Sequence, residues 1–177
     1  MGSKRIGLAR LEAMVESLRR ELAMNGARLT AAKGVEMAAY SDEISADGTG
    51  GFGDTSGIAI PANSLITEVG LVVTTAFTLS GAGALGATFG TSAAGDQIVT
   101  DDEDSIRTSS AAALAVGKGN SSDTVTAAAL GGATALALVA DSVYSASARS
   151  VYGSVTISAN NITAGAVRFY VKYITVV

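Results

Sequence analysis

The sequence has no cysteine, no histidine and no tryptophan, a single proline, and aromatics at only 5% of its 177 residues. The first two absences exclude thiol nucleophiles, disulfides, imidazole general bases and nearly every zinc, copper or haem site. Only carboxylate chemistry and oxygen-ligated cations are left. Long apolar runs are also missing. The longest, Ala127 to Ala140, is 14 residues with a Gly-Gly inside it, whereas a bilayer-spanning helix needs roughly 20. Met1-Gly2-Ser3-Lys4-Arg5-Ile6 opens like a myristoylation signal but has Ile6 where that signal needs Ser or Thr, and no secretory h-region follows. The expectation is a soluble chain without an address label.

What is present is small and apolar. Apolar residues make up 48% of the chain, mostly Ala and Val, with 21 glycines among them. A core of such side chains buries little area per residue, and at roughly 25 cal/mol per Å² the fold is expected to draw on oligomer contacts. The length suits one domain of about 100–150 residues with an appendage.

Charge is divided unevenly along the chain. Residues 1–33 hold seven basic side chains (Lys4, Arg5, Arg10, Arg19, Arg20, Arg28, Lys33) against three acidic ones (Glu12, Glu16, Glu21). The remainder keeps five of the 12 basic residues and 13 of the 16 acidic ones. A basic arm on an acidic body points to two different surroundings, the alternative being a helix with a solvated face.

In that arm Leu8, Leu11, Val15, Leu18 and Leu22 recur in alternating steps of three and four, the a/d spacing of a coiled coil. Asn25-Gly26 supplies the stop. A helix little longer than two heptads is marginal alone, so it must zip with copies of itself or lie on its own β-domain. Leu at d with Val15 at a leans towards two strands, and the heptads do not choose a trimer.

The chain divides into a helix at 1–26, a Gly/Ala/Ser-rich linker at 27–56 with room for a short strand, and a β-body at 57–177. Ile58 to Ser64 reads as an edge strand ended by the proline, and Leu65, Thr67, Val69, Leu71, Val73, Thr75 and Phe77 as one face of a long strand. Leu85 to Gly90 is a further strand. Val151 to Ser158 and Val167 to Ile174 alternate cleanly around Asn160-Asn161-Ile162-Thr163-Ala164-Gly165, which predicts a hairpin. Ala135 to Val139 and Val143-Tyr144 read as strand pieces and Ala111 to Val116 as a short helix. Short strands with frequent turns favour an antiparallel β-sandwich or jelly roll over a barrel.

Candidate sites are few. Gly48-Thr49-Gly50-Gly51-Phe52-Gly53 matches G-x-G-x-x-G, but it leads towards a strand and a proline rather than a helix, so it reads as a linker and not a nucleotide loop. Asp96 and Asp101-Asp102-Glu103-Asp104 offer oxygen donors, with Asp101, Asp102 and Asp104 the candidate cation ligands, but without the Asp/Asn spacing and Gly of an EF-hand. A solvated acidic loop is the alternative. Paired carboxylates for glycoside hydrolysis come with aromatic sugar platforms that a chain without Trp does not advertise. The expectation is no enzyme, no cofactor, no membrane and, given the acidic body and a pI near 4.7, no nucleic acid.

The order of features resembles the capsid decoration, or cement, proteins of tailed and mostly marine bacteriophages. The stretches concerned are Lys4 to Ala13 with Ser17 to Leu22, then Ile60 to Val69, Val73 to Phe77, Leu85 to Thr91, and Ile162 to Val171. The middle third matches poorly. The resemblance implies a homotrimer on the outside of a phage head, assembled in the host cytoplasm, that stabilises the shell. It implies that Leu8, Leu11, Val15, Leu18 and Leu22 knit the trimer, and that basic residues such as Lys4, Arg5, Arg10, Arg19 and Arg20 meet the major capsid protein. A receptor- or glycan-binding head-fibre or tail domain is the alternative.

Overall fold

Along stretches such as 69–73, 151–157 and 167–174 residues alternate between two characters, and a pleated backbone that sends successive side chains to opposite faces sorts them into a core side and an outer side. The computed structural model describes residues 16, 35–46, 52, 55–79, 83–102, 104–109, 112–123, 133–139, 143–157 and 162–176. The strands among them are β1 (Glu36–Ser45), β2 (Ile58–Ile60), β3 (Ser64–Leu79), β4 (Leu85–Gly90), β5 (Val99–Asp102), β6 (Arg107–Ser109), β7 (Ala112–Ala113), β8 (Gly119–Ser121), β9 (Tyr144–Ser145), β10 (Arg149–Ile157) and β11 (Ile162–Thr175). All fall within one compact unit, Glu36–Val177. Every strand pair is antiparallel, so the mainly β, antiparallel class expected from the sequence is the one that forms.

The larger sheet runs β1-β11-β3-β8, with β9 added beside the start of β3, and the smaller runs β2-β10-β4-β5. The order is nested. β1 pairs with β11 and β2 with β10, while β1, β2, β3 and β4 alternate between the two sheets. One core lies between them. Val69, Leu71, Val73, Val167, Phe169 and Val171 from the larger sheet and Ile58, Ile60, Leu85, Ala87, Phe89 and Val151 from the smaller are all buried. The rings of Phe89 and Phe169 meet edge to face at 5.1 Å and 87° and tie the layers together. Phe169 fits because its neighbour across the core, Gly153, has no side chain: a Cβ there would lie 2.4 Å from the ring.

The core is not the small-residue core that composition suggests. Among the buried apolar residues described only Ala87, Ala133 and Ala166 are alanines; the rest are Ile, Leu, Val and Phe. Alanine is abundant in the chain as a whole, and the larger apolar residues are concentrated at the inward positions.

Several expectations change in detail. The stretch 27–56, expected as linker with room for a short strand, contains the ten-residue β1, whose inward positions are the modest Met37, Ala39 and Ser41 before Ile44. A bulge at Ser41–Asp42 interrupts its alternation, and Ser41 Oγ fills the gap by accepting the buried Phe169 N–H at 3.0 Å. In β3 the buried face is Ile66, Val69, Leu71 and Val73, not the unbroken odd-numbered series, because the register slips at Thr67 and reverses the facing of everything before it. The expected hairpin of β10 and β11 does not form, since each pairs with other strands in a different sheet. Turn chemistry reverses a chain without dictating that its arms hydrogen-bond. In place of the short helix expected within 111–116, Ala112–Ala113 pair as β7 with β6. Leu138 makes a single bridge to Val99, and Tyr144 begins β9. No helix among the described residues is long and apolar enough to cross a membrane.

Candidate functional site

The features that sequence analysis singles out fall mostly outside the described residues. Leu8, Leu11, Val15, Leu18, Leu22 and the basic Lys4, Arg5, Arg10, Arg19 and Arg20 all lie there, as does the glycine-rich stretch apart from Phe52. Asp101 and Asp102 sit on β5 and Asp104 is exposed in the turn beyond it. Among the described residues no group of three or more acidic side chains gathers as metal ligands would.

The residues that do come together lie on the outer face of the larger sheet. Directly opposed residues of neighbouring strands share a face, so the register places side chains in successive rows. The first row is Glu36, Ile174, Leu65 and Tyr144. The second is Ala38, Lys172 and Glu68. The third is Tyr40, Tyr170, Gly70 and Ser121, and the fourth is Glu43, Arg168, Val72 and Gly119. Tyr40 is 63% exposed and Tyr144 49%. Leu65, Val72, Tyr170 and Ile174 are half-buried. The rings of Tyr40 and Tyr170 lie 6.0 Å apart, tilted at 44°.

Tyr170 lies flat because Gly70 makes room for it; a Cβ on Gly70 would come 2.5 Å from the phenol carbon and oxygen. Its hydroxyl thereby reaches Glu68 Oε1, to which it donates at 2.6 Å. Lys172 Nζ donates to Glu68 Oε2 in an ion pair. Burial pushes the Glu68 carboxyl up, but hydrogen bonds from Lys172, Tyr170 and Ser121 and the lysine charge outweigh it and hold the group below its ordinary value. Burial and the Glu68 carboxylate together push the Tyr170 phenol upward. The hydrogen bond to Glu68 raises Lys172. The carboxylate, phenol and ammonium thus satisfy one another, and the network keeps each in its ordinary charge state at neutral pH.

The smaller sheet presents a different outer face. Its rows pair Tyr152 with Gly90, Ser154 with Thr88 and Thr156 with Gly86, and the loop after β4 folds back on it, with Ala94 N–H donating to Ser154 Oγ at 3.1 Å. Ala94 holds φ 57° there, a left-handed conformation that costs a residue with a Cβ.

The outer face of the larger sheet has the make-up of a contact surface: tyrosines and aliphatics around one internally satisfied charge pair. No contiguous motif in the sequence marks this face. Its signal was nevertheless present in the alternation of β11, where Tyr170 and Ile174 occupy the side opposite the core residues Phe169 and Val171.

No protein-family model matches the sequence, and no curated protein matches it. Two solved chains are similar. One belongs to the capsid asymmetric unit of cyanophage Pam1, at 17% identity over 81% of this chain and 86% of that chain, with a TM-score of 0.44. Another belongs to the acidic stable capsid structure of Helicobacter pylori bacteriophage KHP30, at 13% identity over 80% of this chain and 89% of that one, with a TM-score of 0.40. Both likenesses are remote, and no residue role passes from them to this chain.

Proposed function

We propose that this chain is a non-enzymatic virion structural protein, a homotrimer that decorates the outside of a phage capsid and stabilises the head. The observation that carries the proposal is where the resembling stretches fall. Ile60 to Val69 forms the end of β2, the turn and the start of β3; Val73 to Phe77 lies in β3; Leu85 to Thr91 makes β4; Ile162 to Val171 makes most of β11. These strands build both sheets and the core between them, so the resemblance follows the framework of the body.

The body itself is, in this proposal, a sandwich of jelly-roll type. With the separate β6–β7 pair and the off-path β9 set aside, eight strands run first-last-third-sixth in one sheet and second-seventh-fourth-fifth in the other, a nested order that supports two interlocked Greek keys. Jelly rolls recur in viral capsid domains and also in lectins, so the fold alone does not assign the task. The mechanism is thermodynamic. A trimer that engages several coat subunits at once gains avidity and favours the shell state it binds. Its partners are itself and the major capsid protein, not nucleic acid or membrane.

Particles stripped of the protein are the test. Adding back the full chain should restore stability to heat and low salt, with density appearing on the capsid exterior. A chain lacking residues 1–25 should lose attachment and trimerisation while keeping a β-rich far-UV spectrum. Attachment unaffected by that deletion would refute the assigned role of the arm. A glycan-binding head-fibre or tail domain is the second reading, favoured by the exposed Tyr40 platform; saccharide binding by the purified chain, with no change in capsid stability on its removal, would put that reading in first place.

A further inference from the structure

We propose that the outer face of the larger sheet, centred on Tyr40, Tyr170 and Leu65, is the surface by which copies of this chain pack on one another. The inference rests on the self-association proposed above and assigns it a place on the body.

Three observations select a second copy as the occupant. The first is where the chain arrives. Val35 leads directly into Glu36, which begins β1 in the first row of this face, beside Ile174, Leu65 and Tyr144. Residues 27–34 connect it to the proposed coiled coil at 1–26, and eight residues reach at most about 27 Å at ~3.4 Å each. A contact between copies made within residues 1–26 would therefore be tethered to this row by a short segment.

The second observation is charge. The chain from 34 onward carries 13 of the 16 acidic residues and five of the 12 basic ones, so copies of the body repel one another in general. On this face Lys172 and Arg168 stand against Glu36, Glu43 and Glu68, and the most buried of the acids already holds its lysine. Nothing at its centre needs a counter-charge from a partner. A second acidic copy is therefore repelled less here than a face of unpaired carboxylates would repel it.

The third is size. Four strands about 4.8 Å apart and about seven residues of ~3.4 Å rise give a footprint of roughly 450 Å², against about 800 Å² per partner in a standard stable interface. A face this small associates weakly by itself and holds only beside a second contact. The proposed coiled coil is that contact.

The absence of cysteine makes the test clean. Ala38, exposed in the second row, and Ala59, exposed on β2 of the smaller sheet, are the same residue on opposite sheets. The full-length Ala38→Cys and Ala59→Cys variants are labelled with a maleimide while mass is followed by sedimentation. In the oligomer Cys at position 38 should react about tenfold more slowly than at 59, tracking the fraction of open surface, and the two should converge on dilution to monomer. An oligomeric chain in which both positions react equally overturns this surface and leaves self-association standing. An oligomer in which position 38 is shielded only after coat protein or saccharide is added also overturns it, giving the face to that partner. A chain monomeric at every concentration overturns the self-association itself.

Discussion

Gly153→Ala is a one-carbon change whose cost follows from the geometry between the sheets. The added Cβ would lie 2.4, 2.6 and 2.7 Å from the Cγ, Cδ2 and Cδ1 atoms of Phe169, which is fully buried and braced edge-on against Phe89. The ring has no open side, so either the sheets separate or Phe169 leaves its rotamer. Overpacking of this kind costs about 1–3 kcal/mol. Replacing a strand glycine with alanine returns about 0.5–1 kcal/mol in backbone entropy, leaving a net loss of about 1–2 kcal/mol. Urea unfolding at one fixed protein concentration should show a lower midpoint with an unchanged slope. The decisive arm is the double-mutant cycle with Phe169→Leu. Leucine is smaller than the ring it replaces, so Gly153→Ala should cost little or even stabilise in that background, a coupling of about 1–2 kcal/mol. Equal cost in both backgrounds, or no cost in the native one, would refute the claim that Gly153 exists to admit Phe169.

Three further outcomes are expected. Ser41→Ala removes the acceptor of the buried Phe169 N–H at the β1 bulge and should cost about 1–3 kcal/mol, with hydrogen exchange at that amide accelerated beyond its neighbours. Ala94→Gly relieves the left-handed φ of 57° and should stabilise by about 0.5–1 kcal/mol, read as a rise in the thermal midpoint; a fall would refute the strain. For Glu68 the folded carboxyl titrates below its ordinary value of 4.5. Its contribution is therefore present above that pH and lost as pH falls through the lower folded value. Glu68→Gln should be less stable than the native chain at pH 7, and the gap should narrow between about pH 5 and pH 3; a gap independent of pH would show that the charge plays no part.

Much of the framework was legible in the residues. Pro61 ending an edge strand, the alternation through Val69, Leu71 and Val73, the strand at Leu85 to Gly90 and the two-faced pattern of β11 all follow from period two. What escaped was non-local. β1 is weak in apolar residues, its bulge uses a serine hydroxyl where a regular strand would use backbone, and no pattern within the strand announces that. The slip at Thr67 depends on which residue of β11 stands opposite. The assignment of β10 and β11 to different sheets depends on β2, β3 and β4 being there to receive them. The outer surface escaped for a related reason: Tyr40, Leu65, Tyr144 and Tyr170 are far apart in the chain and become one patch only when the rows are aligned.

The nested strand order also governs how the protein can be made. Neither sheet has its inner partner until β10 and β11 have been synthesised, since β1 and β3 both hydrogen-bond to β11, and β2 and β4 both to β10. β1 and β2, whose strand partners are β11 and β10 alone, must wait unpaired on the ribosome, and pairing Glu36 with Ile174 closes nearly the longest loop this body allows. Folding dominated by such distant partners is slow, and the waiting strands are open to aggregation. A chain broken off before β10 lacks the middle of both sheets and can close neither of them.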